Sequence, residues 1–138
     1  MTVVKRPVLA VVVATVWISA SEFFRNNVLL LHVWVEHYRG LGLTFPTRPI
    51  NGALWGLWSL LFAITIVIVA QRFSLLQTAL LGWLVGFLMM WVVIGNLGVL
   101  PVAILWYAVP LSALEAFVAA VIATRIGRTA PARPPIPG

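Results

Sequence analysis

Four unbroken apolar stretches run through this 138-residue chain, and they restrict its fold more than any other feature. A helix that crosses the hydrocarbon core of a bilayer needs about 20 mostly apolar residues, with a range of roughly 17–25. The first stretch opens at Pro7 and reaches about Arg25 or further, the others cover about 51–70, 75–97 and 101–125. None alternates polar and apolar residues with the period of two that a barrel strand requires. The expectation is an all-α integral membrane protein, a four-helix transmembrane bundle in one domain over residues 1–128. The tail at 129–138 carries four prolines and is expected to form no helix.

Composition supports the same class. The chain is 62% hydrophobic and 9% charged, whereas soluble domains hold about 45–50% apolar and about 25% charged residues. Disorder is excluded by the same figures. The absence of cysteine removes disulfide scaffolds, thiolate metal centres and thiol catalysis.

Basic residues set the orientation. Lys5 and Arg6 precede the first stretch, Arg72 separates the second from the third, and Arg125, Arg128 and Arg133 follow the fourth. All fall on one side, opposite Arg39 and Arg48. By the positive-inside rule both termini are expected to face the cytoplasm, and the small size of this multi-pass chain fits the inner membrane of a cell. The net charge of +6 is dispersed along this belt, which suits anionic lipid and not nucleic acid. The first stretch also has the layout of a secretory signal, ending in Ser19-Ala20-Ser21, and is expected to remain as an uncleaved span.

Helix contacts in lipid depend on small residues that let backbones approach. Gly52 and Gly56, and Gly82 and Gly86, are each four apart and are expected to pack inside the bundle. Ala108, Ser112, Glu115 and Ala119 fall on one helical face. Pro110 is expected to kink the fourth span and free a carbonyl near Trp106 and Tyr107. Residues 53–73 can be laid on 108–128, matching Phe62 to Phe117, which would make the bundle two duplicated hairpins. Of seven tryptophans, Trp34, Trp55, Trp58 and Trp106 map to an interface belt, and Trp17, Trp83 and Trp91 lie deeper.

Three glutamates and no aspartate make the search for chemistry short. Glu115 lies near the middle of the fourth span, where an ionised carboxylate costs at least about 2.5–3.5 kcal/mol. It must be neutral, paired or facing a polar cavity. Glu22 and Arg25 are three apart and can form an ion pair on one helix face, with Glu115 as a further counter-ion and Asn26 adding an amide. With Tyr107 and Ser112 these make the candidate ligand or ion site: Glu22, Arg25, Asn26, Tyr107, Ser112 and Glu115. Weaker metal candidates are His32, Glu36 and His37. His32 and Glu36 are one turn apart, but His37 turns away from His32 by about 140° on a regular helix, so one helix cannot supply all three ligands.

No nucleophile–base set, phosphate loop or cofactor motif is visible, and no cofactor is assigned. The functional expectation is a small oligomeric transporter or channel for a proton, an ion or a small cationic solute, using the intramembrane carboxylates. The competing expectation is a non-catalytic accessory or assembly subunit of a larger membrane complex. Its partners would be the lipid bilayer and either further copies of the chain or a larger membrane complex.

Overall fold

The computed structural model describes residues 5–128, and the expected tail at 129–138 lies outside the described residues. The described chain is helical without a strand, and four of its helices are long and apolar enough to span a membrane. It is a multi-pass four-helix bundle. We number its helices α1 (Lys5–Leu29), α2 (Leu31–Gly40), α3 (Pro49–Ala70), α4 (Leu75–Asn96) and α5 (Val102–Gly127). The four helices cover the four apolar stretches, and the first, whose end the sequence left open beyond Arg25, reaches Leu29. It stops there because Leu30 leaves the helical region, at φ −111° and ψ 2°, and α2 starts immediately after.

Each boundary has a local cause. Pro49 occupies the first turn of α3, where its missing N–H has no partner to lose. Ser74 and Gln77 form a reciprocal capping box at the start of α4, with bonds of 3.3 and 3.0 Å. Gly42 and Gly98 take a φ of +72° in the turns after α2 and α4, a conformation that a side chain disfavours. Three spans contain a π-helical turn, at Phe24–Leu29, Leu84–Leu88 and Ala123–Gly127. Pro110 sits inside a helix that runs without interruption from Leu105 to Ile122.

In the bundle α1 packs on α3 and α5, and α4 packs on α5 and more lightly on α3. One end gathers the start of α1 and the finishes of α3 and α5. There Gln71 Nε2 donates to the Gly127 carbonyl at 3.2 Å, and Arg128 Nε to the Ala70 carbonyl at 2.8 Å. Lys5, Arg6, Arg72, Arg125 and Arg128 are exposed around this basic end. The opposite end, the loop end, carries α2 and the turn between α4 and α5.

The two glycine pairs part company. Gly82 and Gly86 face the side chains of Ile66 and Phe62, as expected of small residues in a seam. Gly52 and Gly56 have nothing within 4 Å and so do not pack inside the bundle. Aromatic rings explain why Gly82 and Gly86 are small. Trp58 stacks on Phe62 at 5.1 Å and meets Phe87 at 5.7 Å, and the Phe62 ring lies against Gly86, so rings pack between α3 and α4 where these glycines leave room. Alanine at Gly86 would put a methyl 2.7 Å from the Phe62 ring. We expect Gly86→Ala to lower stability by roughly 1–3 kcal/mol, and Gly56→Ala to change it little, both read from melting in detergent.

Candidate functional site

A run of apolar residues can bring a charged group into a bundle only if another group meets it there. Arg25 is met twice. Its guanidinium donates to Glu22 Oε1 three residues earlier on α1, and across the bundle to Glu115 Oε2 of α5 at 2.8 Å. All three residues are buried, at 5% exposure for Glu22, 4% for Arg25 and 1% for Glu115. The guanidinium carbon also lies 5.1 Å from the centre of the Phe87 ring of α4, a favourable cation–π placement.

The local fold explains how a residue so near the loop end of α1 reaches a carboxylate midway along α5. Arginine near the end of a span ordinarily extends its head outward to the lipid headgroups. Here the π-helical turn beginning at Phe24 re-aims the residue, and π turns of this kind recur at working sites. The two carboxylates and the ring then hold the guanidinium inward. Helical side chains lean toward the N-terminus of their helix, so Glu115 leans toward the loop end, to meet Arg25 coming the other way.

Further polar groups bind the cluster to its surroundings. Asn26 Nδ2 donates to Glu22 Oε2 at 2.9 Å and to the Glu22 carbonyl at 3.2 Å. Its Oδ1 accepts from Trp34 Nε1 of α2 at 3.1 Å. Trp17 Nε1 donates to the backbone carbonyl of Glu115 at 3.1 Å, a second link between α1 and α5. One atom is left over. Glu115 Oε1 is fully buried and has no hydrogen-bond partner.

Four of the six candidate residues therefore come together: Glu22, Arg25, Asn26 and Glu115. Ser112 shares the buried face of α5 with Glu115, but its hydroxyl donates to the Val109 carbonyl at 3.0 Å and accepts from Trp83 Nε1 at 2.9 Å. It fastens α4 to α5 and does not join the cluster. Tyr107 departs from expectation. It is 64% exposed on the outside of the bundle, five residues from Ser112 and thus about 140° round the helix. The metal candidates stay apart from the cluster as well. His32, Glu36 and His37 line an open groove at the loop end with Pro101, Val102 and Ala103. Glu36 is paired with Arg39 at 2.8 Å, and His37 Nε2 is 3.3 Å from the Gly98 carbonyl. Among the described residues no three metal-ligating side chains converge.

No known protein family, curated protein or solved structure matches this chain. Its chemistry has to be read from the cluster alone. Sequence reasoning missed Trp17, Trp34 and Phe87 as members. Phe87 is one apolar residue among many in its span, and spacing along one helix carries no signal for a ring from another. The sequence points Trp34 to an interface belt, which its position at the loop end fits, but its bond to Asn26 comes with the break at Leu30, after which α2 lies beside the turn between α4 and α5.

The arrangement has a definite charge balance. Two carboxylates face one guanidinium, so the fully ionised cluster carries one negative charge too many for a buried site. Among the described residues no other cation lies in contact with it. A proton on one carboxylate removes the surplus and leaves a neutral cluster. A metal cation would do so only by sitting close to the guanidinium, which repels it.

Proposed function

We propose that the chain is a small membrane transporter of protons, in which the Glu22–Arg25–Glu115 cluster takes up and gives off a single proton. What carries the reading is the surplus negative charge at a buried site, with one carboxylate oxygen unpartnered. Polar groups inside a membrane are costly, and where they persist they mark proton relays and ion paths. The guanidinium disfavours a metal ion as cargo and leaves the proton as the species that fits. So small a bundle reaches a complete path by association with further copies of itself. The belt of Lys5, Arg6, Arg72, Arg125 and Arg128 supports placing the basic end at the cytoplasmic face of an inner membrane, against anionic lipid.

Purified protein in liposomes tests the proposal. Under an imposed pH gradient the wild type is expected to pass protons, and Glu115→Gln, which keeps the shape but cannot give up a proton, is expected to pass none. A melting curve in detergent verifies that the variant is folded. Equal flux from both proteins, or none from either, rejects the proposal. A folded but inactive wild type that co-purifies with a larger membrane complex in fixed ratio would mark it as an accessory subunit.

A further inference from the structure

A buried proton site needs a route to water, and the two halves of this bundle differ in what they offer. Toward the basic end the interior is apolar apart from Thr78, whose buried hydroxyl has no hydrogen-bond partner. Ala10, Ala14, Ala63, Ile66, Ala119 and Ala123 are each completely buried, so the helices meet there through small apolar residues with little room between them. Gly127 closes against Ala10, where even an added methyl would come within 2.9 Å. Below that contact, Gln71 and Arg128 tie the ends of α3 and α5 together. Thr78 is the fully buried polar side chain of this half of α4, and no hydrogen bond joins it to the cluster.

Toward the loop end a polar chain leaves the cluster. Glu22 Oε2 is held by Asn26, and Asn26 by Trp34 of α2, which is only half-buried. The covering piece is lightly attached. None of the residues of α2 is buried, and its polar ties to the bundle are the Trp34–Asn26 bond and the long His37–Gly98 contact. Trp34 also meets Tyr38 and Phe45 at ring separations of 6.3 Å, so its indole belongs to an aromatic patch shared by α2 and the following loop.

Resting on the proton-site reading, we infer that in this conformation the cluster exchanges its proton with the loop-end face, the basic-end side being closed until the bundle rearranges, and that α2 is the cover of this entrance, latched by the Trp34–Asn26 hydrogen bond. The charged and titratable groups facing Glu115 are Glu22 and Arg25, both on α1, and α3 and α4 present only apolar residues and hydroxyls to it. On the cover itself the titratable groups are His32, Glu36, His37, Tyr38 and Arg39, of which Glu36 and Arg39 are paired. Opening the latch exposes Asn26 and Glu22 to water without disturbing the apolar packing of the other half.

The test uses full-length protein reconstituted in one orientation, with the infrared carboxyl band that is present in wild type and absent in Glu115→Gln as readout. A pH jump on the loop-end face is expected to change that band quickly, and the same jump on the basic-end face is expected to change it only slowly. Trp34→Phe keeps the ring packing but removes the N–H, and should speed the loop-end response about tenfold, the factor equivalent to about 1.4 kcal/mol. Asn26→Ala removes the other half of the latch and should act in the same direction. A faster response to the basic-end jump, or no acceleration in either variant, overturns the inferred route. No Glu115-dependent band from either face overturns the proton-site reading as well, so the two failures are distinguishable.

Discussion

Arg25→Ala is expected to destabilise the protein by about 3–5 kcal/mol, the penalty that follows when one partner of a buried ion pair is removed and the other charge remains. The expectation here lies at the upper end of that range. Two carboxyl groups, not one, lose the donor that held them, and Glu22 and Glu115 are then left facing each other across the gap between α1 and α5 with one charge unbalanced. The Phe87 ring loses its cation in the same step. Arg25→Lys should fall between, because an ammonium keeps the charge but lacks the planar fork that reaches both carboxylates at once. Reversible unfolding in mixed micelles measures the difference. A loss below about 1 kcal/mol, the level typical of exposed pairs, would mean that the guanidinium is not enclosed between the carboxylates.

Most of the fold could be read from the sequence, because the dominant force is simple. Continuous apolar runs of the right length have few alternatives in lipid, so the helices and their antiparallel order followed directly. The grouping of Glu22, Arg25 and Asn26 followed from helical spacing, and Glu115 from its isolation in an apolar span. What spacing could not supply was the depth of Arg25. That depends on the π-helical turn at Phe24–Leu29 and on the end of α1 at Leu30, and no capping residue announces either. Gly52 and Gly56 show the opposite limit. Their spacing is that of a packing motif, yet they lie near the start of α3, where a Cβ added at either would meet nothing within 4 Å, while the Phe62 ring packs on Gly86 instead. Tyr107, singled out beside the carbonyl expected to be freed by Pro110, lies five residues from Ser112 and so on another face of α5, which leaves it exposed outside the site.

The combined change Glu22→Gln, Arg25→Met and Glu115→Leu should abolish proton flux while leaving the bundle about as stable as the wild type. The single removal of Arg25 strands a charge, whereas the triple change removes every charged group of the cluster together. Replacing a buried ion network by apolar groups of similar volume is often neutral, or stabilising by about 1–4 kcal/mol, because the desolvation of the ions is no longer opposed to folding. Glutamine at position 22 keeps an acceptor for Asn26, whose amide otherwise loses its 2.9 Å bond. Leucine at 115 removes the carboxylate oxygen that has no partner. The unfolding curve and the flux assay then answer different questions. A stable, inactive triple variant assigns the cluster to proton movement, since structure has been retained without it. A triple variant as weak as Arg25→Ala would instead make the ionic contacts themselves the source of α1–α5 cohesion, and a stable triple variant that still passes protons would place the path elsewhere in the bundle.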